Sequence, residues 1–186
     1  MSELIPLREL YSQDLIEAVG LLFLAASSTE AALSLHAARC ISHPNPPSLQ
    51  THLSTVGMEA KLKLQTIEYC IQLCARDAFP KIEKITRSIR RLYEHRNYVA
   101  HNFSIQRPNH IEVYVLKMAR KGPVKNKLFT AAQLEGYANL FHARVRQLDE
   151  CLNELGIAHF PRSIGPVPSP QEHRPPRSAQ PNDQAR

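Results

Sequence analysis

Apolar side chains recur at steps of three and four along most of this chain, the spacing of a buried helix face. Leu15, Val19, Leu22, Ala26, Thr29, Leu33, His36 and Cys40 form the first stripe. It predicts one long helix over about 7–40 or 15–40, since the stripe keeps phase across Ser27-x-x-Glu30, a possible capping box. His43-Pro44-Asn45-Pro46-Pro47 ends that helix and opens a loop. A second helix is predicted over roughly 56–76, with Ala60, Leu64, Ile67, Ile71 and Cys74 on one face. Asp77-Ala78-Phe79-Pro80 reads as a turn with a capping Asp and a first-turn Pro. The third helix sets Ile82, Ile85, Ile89 and Leu92 on its stripe, and the next slots fall on Arg96 and Val99.

After position 103 the period changes. Ile111-Glu112-Val113-Tyr114-Val115-Leu116 is rich in β-branched and aromatic residues, Gly122-Pro123 breaks the chain, and 124–129 is a second short run. This predicts a basic β-hairpin at about 105–130, inserted between helices 3 and 4. Thr130-x-x-Gln133 then caps a final helix striped by Leu134, Ala138, Phe141, Val145, Leu148, Leu152 and Leu155. Such a seam suits a bundle core or a dimer interface. The expected fold is all-α: a four-helix-type bundle spanning residues 1–160 with a small inserted β-hairpin. Residues 161–186 hold 7 of the chain's 14 prolines and no aromatic residue, so a flexible, disordered tail is expected there.

Charge changes this picture more than composition does. Residues 1–60 carry 2 basic and 6 acidic side chains, whereas residues 61–130 carry 15 basic and 5 acidic. A basic block of that density attracts polyanions, nucleic acid above all, although a solvated helix face gives the same count. The longest apolar run, 18–26, is too short to span a membrane, and acidic residues precede it where a signal peptide needs positive charge. A cytoplasmic protein with no membrane partner is therefore expected. Cys40, Cys70, Cys74 and Cys151 form no C-x-x-C pair, and P-loop, G-x-S-x-G and H-E-x-x-H motifs do not occur. Cys70 and Cys74 share a helix face but lack further ligands, so they read as small buried apolar residues, with no metal or cofactor expected. His36, on an apolar stripe, reads as a hydrogen-bonded core histidine.

Arg96-Asn97-Tyr98-Val99-Ala100-His101 is the segment with the most chemistry. Arginine holds a phosphate bidentately and stays charged, and histidine gives or takes a proton near neutral pH. Arg96 also occupies a slot that the third stripe reserves for a core residue, which is costly unless the guanidinium is paired or faces a cleft. Arg90 and His95 form a second Arg-x4-His pair, with Arg91 at its second position.

Four helices with R-N-x-x-x-H closing the third resemble the HEPN superfamily of RNases and RNA-binding proteins, over roughly residues 10–155. Arg96, Asn97 and His101 match that family's signature of Arg, a polar residue, and His after four to six intervening positions. Arg90 and His95 fit it less well. The resemblance implies a metal-independent endoribonuclease in which the ribose 2′-hydroxyl attacks the adjacent phosphate. His101 would act as general acid or base, Arg96 would stabilise the phosphorane, and Asn97 would hold the imidazole or brace the helix end. It further implies a homodimer with two motifs in one cleft, RNA as substrate, a toxin or antiviral-defence role, and a cognate antitoxin protein as a partner. Arg120, Lys121, Lys125 and Lys127 of the basic hairpin are the candidate RNA-binding residues. The alternatives are a catalytically inactive HEPN-like module that binds RNA or protein, and a helical regulatory module in which the motif match is accidental.

Overall fold

A computed structural model of the chain describes residues 11–101, 103–107, 110–115 and 125–157. Ser12 caps the first helix, α1 (Gln13–Ser42), by accepting from the Leu15 amide at 3.3 Å. The helix runs unbroken past Ser27, as the continuous stripe requires. Leu15, Leu22, Ala26, Thr29, Leu33, His36 and Cys40 are all buried, and Val19 is partly so. An 18-residue window of α1 reaches a mean hydropathy of 1.6, so by length and composition the helix could cross a membrane. Ala-rich turns extend its apolar length beyond the 18–26 run. Its apolar face is the centre of the bundle core.

A short helix absent from the sequence expectation, α2 (Leu49–Val56), follows the Pro-rich loop. It buries only Thr55, whose hydroxyl donates to the Ser34 carbonyl at 2.8 Å and ties the segment to α1. The next helix, α3 (Ala60–Cys74), buries Leu64, Ile67 and Ile71 as its stripe predicts. Cys74 is exposed and Cys70 half-buried, which corrects the expectation that both are buried: α3 ends at Cys74, beyond the packed face. Arg76–Ala78 form one 3-10 turn, and α4 (Phe79–His101) begins with Pro80 in its first turn. Ile82, Ile85, Ile89 and Leu92 face the core.

The β insertion holds the expected hairpin and one more strand. The strands β1 (Phe103–Arg107), β2 (His110–Val115) and β3 (Lys125–Thr130) form an antiparallel sheet in sequence order. Ile111 and Phe129, directly opposite each other in the β2–β3 register, are both buried in the bundle core. One apolar cross-strand pair thus pins the sheet to the helices.

Thr130 and Gln133 form the predicted capping box of α5 (Ala131–Glu154), whose stripe Leu134, Ala138, Phe141, Leu148 and Leu152 is buried. Gly156, at φ 69°, closes the helix, and the Ile157 amide donates to the Leu152 carbonyl at 3.0 Å. The bundle is therefore mainly helical with a small β insertion. The Pro-rich tail, 161–186, and the hairpin turn around Gly122-Pro123 lie outside the described residues.

Candidate active site at the end of α4

Asn97 and His101 stand one helical turn apart on α4, so their side chains share a face. With Arg90, Tyr93 and Arg96 they line a cleft of about 680 Å³. Ala26, Ser27 and Glu30 of α1 form one opposing wall, and Glu59, Lys61 and Leu64 at the start of α3 form the other. The three motif residues therefore face one common space.

Arg96 is half-buried, as its place at the end of the apolar stripe requires. Its guanidinium carbon lies 5.0 Å from the centroid of the Phe23 ring on α1, a cation–π contact that fixes the group without neutralising it. Nη1 donates to Asn97 Oδ1 at 3.0 Å, while Nε is buried with no hydrogen-bond partner. Among the described residues Arg96 forms no ion pair. A half-buried guanidinium with no carboxylate partner is costly in a resting protein and keeps its charge for an anion in the cleft. His101, the last residue of α4, is exposed at the mouth of the cleft.

Tyr93 borders the same space, its hydroxyl donating to the Ala26 carbonyl at 3.0 Å. Burial, then the Glu30 charge, push its pKa well up, so the phenol stays protonated and is no base. Glu30, Glu59 and Glu94 line the cleft against Lys61, Arg90 and Arg96, which makes it charge-balanced rather than uniformly basic. The segmental charge count could not show this, because Glu30 and Glu59 belong to the acidic first third and meet the basic block only on folding.

The second Arg–His pair serves packing. Arg90 is ion-paired with Glu68, whose carboxylate also accepts from the Thr86 hydroxyl. His95 stacks on Tyr137 of α5 with centroids 4.4 Å apart and planes 3° from parallel, and meets the edge of Phe129 at 6.1 Å. Burial, then the Lys127 charge, hold its pKa below the ordinary value. His95 thus belongs to an aromatic seam joining α4, β3 and α5.

Lys127, the one candidate hairpin cation whose side chain is described, does not line this cleft. The Lys127 ammonium lies 3.6 Å from the Tyr98 ring centroid, in the seam between β3 and α4. Lys125 is on β3, and Arg120 and Lys121 lie outside the described residues. Two buried cations escaped the sequence reading. Arg39 is fully buried and donates to Asp149 Oδ1 at 2.6 Å, Asn153 Oδ1 at 2.6 Å and the Ile157 carbonyl at 2.8 Å. Lys63 is buried 3.5 Å from Glu30. His36 is the expected core histidine, its Nδ1 3.4 Å from Arg39 Nη1. Among the described residues no group of three or more His, Cys, Asp or Glu is placed to hold a metal.

Comparison with known protein families, curated protein sequences and solved structures finds no match to this chain.

Proposed function

We propose that this chain is a HEPN-like endoribonuclease that cleaves RNA by attack of a ribose 2′-hydroxyl, without a metal ion. The observation that carries the reading is the convergence of Arg96, Asn97 and His101 on one cleft, with Arg96 unpaired and held by an aromatic ring. In the reaction the 2′-oxygen bonds to phosphorus and the P–O5′ bond breaks, giving a 2′,3′-cyclic phosphate and a 5′-hydroxyl. One proton leaves the 2′-hydroxyl and one reaches the departing 5′-oxygen. His101 carries one of these transfers, Arg96 offsets the charge on the phosphorane, and Asn97 anchors Arg96 through its side-chain oxygen. One chain offers one motif histidine at the cleft, so a homodimer placing two motifs together would supply both proton transfers. A toxin or antiviral effector in the cytoplasm, restrained by an antitoxin protein, is the setting this activity fits.

The second reading, an inactive module that binds RNA or protein, is favoured by Glu30, Glu59 and Glu94 on the cleft walls, which oppose a phosphodiester. One experiment separates the two. Purified wild type, His101→Ala and Arg96→Ala are incubated with single-stranded RNA in excess chelator, and product ends are mapped. The catalytic reading expects cyclic phosphate ends from wild type and a loss on the order of a hundredfold or more in either variant. Wild type that binds RNA without cutting it establishes the inactive module instead.

A further inference from the structure

We propose that the groove between α4 and α5 is a second binding site, a track for the phosphates of single-stranded RNA. This rests on the RNA reading above, but on different residues. The groove encloses about 560 Å³ and lies apart from the motif cleft. Lys84, Arg87 and Arg91 line it from α4 at steps of three and four, and Arg144 reaches in from α5. Its two carboxylates are already engaged: Glu154 accepts from Lys81 at 2.8 Å, and Glu150 pairs with Arg146 at 3.3 Å. Arg87 pairs with Glu83. That leaves Lys84, Arg91 and Arg144 without an ion pair among the described residues.

Arg144 is also positioned in advance. Its Nε donates to Ser88 Oγ on α4 at 3.1 Å and its Nη1 to Gln147 Oε1 on its own helix at 2.6 Å, so a cation on α5 is tied across the groove by Ser88 and steadied by a second neutral partner. A guanidinium anchored this way keeps its full charge for an incoming anion. The lining offers no apolar anchor to a protein partner. Its apolar members, Ile85 and Cys151, are buried, and no exposed aromatic or aliphatic side chain lines it, whereas protein interfaces centre on such anchors.

The position on α4 fits a strand that also reaches the motif. Arg91 follows Arg90, which lines the motif cleft, so the two sites adjoin around the outer face of one helix. At 1.5 Å per residue, Arg91 stands about 15 Å and Lys84 about 25 Å from His101 along the axis, a reach of a few nucleotides. A single strand is required because in-line attack by a 2′-hydroxyl needs a backbone free to splay.

The test uses a fluorescein-labelled 2′-O-methyl RNA 15-mer, which lacks the attacking hydroxyl and cannot be cut. Anisotropy titrations from 50 to 200 mM salt compare wild type with Lys84→Gln/Arg91→Gln, both exposed and unpaired and thus safe for folding, and with the triple variant adding Arg144→Gln. Single-stranded phosphate contacts contribute about 0.7 each to the log–log salt slope, so the slope should flatten by about 1.4 in the double and about 2 in the triple variant. Affinity at the lowest salt should fall at least about tenfold. An unchanged slope in the double variant overturns the proposal. So does equal competition by poly-glutamate of matched charge, which would make the groove a site for acidic protein. Groove-dependent binding by a wild type that cuts no RNA leaves the track standing and removes the nuclease reading alone. Cleavage with an unchanged slope in the variants does the reverse.

Discussion

Arg39→Ala should be among the most destabilising single substitutions in this chain. The guanidinium is fully buried and joins the C-terminal part of α1 to Asp149, Asn153 and the Ile157 carbonyl, which belongs to the turn closing α5. Removing one partner of a buried, hydrogen-bonded ion pair costs about 3–5 kcal/mol. The lower end applies, because the Asp149 side chain is 35 % exposed and water can take over part of its solvation. For a domain of this size each kcal/mol moves Tm by about 2–4 °C, so the melting temperature should fall by at least about 6 °C. Burial works to raise the Asp149 pKa, but the Arg39 hydrogen bond and the His36 and Arg39 charges outweigh it and hold the carboxyl below its ordinary range. A depressed carboxylate pKa adds stability above the unfolded value of 3.8, lost as pH falls through the folded value. Arg39→Ala should therefore also blunt the acid limb of the stability profile. Urea denaturation of Arg39→Ala, Asp149→Ala and the double variant measures the coupling. The double variant should cost less than the two singles combined, by at least about 1 kcal/mol. A cost below about 1 kcal/mol for Arg39→Ala, or strict additivity in the cycle, would refute the clamp.

Two further outcomes are expected. Because burial and Lys127 lower the folded-state pKa of His95, its unfolded state binds the extra proton first, so stability is complete above the ordinary value of 6.5 and declines as pH falls from there toward the folded pKa. His95→Phe should keep RNA cleavage and remove that decline in melting scans from pH 7.5 to 5; loss of cleavage in a folded His95→Phe would make the Arg90–His95 pair the functional one. The composite-cleft reading expects light scattering to give twice the chain mass at micromolar concentration, and a monomer under cleaving conditions would exclude it.

The helices were legible wherever the core reads them from one side. Leu15 to Cys40, Ile82 to Leu92 and Leu134 to Leu152 keep the 3-4 spacing, and nearly every stripe residue is buried. Thr130 and Gln133 announced α5 because a capping box is local chemistry. The short α2 was not legible: its apolar residues Leu49, Leu53 and Val56 face outward, and its one buried residue is the polar Thr55. Phe103–Arg107 offered too short an alternation to declare a strand and is placed by pairing with β2. Arg39 and Lys63 were missed for another reason. Pattern reading assigns cations to solvent, and their partners Asp149 and Glu30 are distant in sequence. At the candidate site the motif itself was legible, and so was the anomaly of Arg96 on an apolar stripe. Phe23 beneath it and the carboxylates around it were not, since all but Glu94 come from other parts of the chain.

Lys61, Arg90 and Arg96 face Glu30, Glu59 and Glu94, and Glu68 already holds Arg90, so a single chain's cleft exerts no net pull on a phosphodiester. Screening over about 8 Å at physiological salt means that the α4–α5 cations, about 15 Å or more from His101 along α4, cannot make up the difference at the reacting phosphate through space. They can do so only by touching the same strand. Affinity would then come from the groove and chemistry from the motif, joined by the RNA itself. This division also accounts for the unpaired state of Arg96. A carboxylate partner would make it cheaper to bury, yet would neutralise the charge that the phosphorane needs, whereas the Phe23 ring steadies the guanidinium and leaves its charge uncancelled.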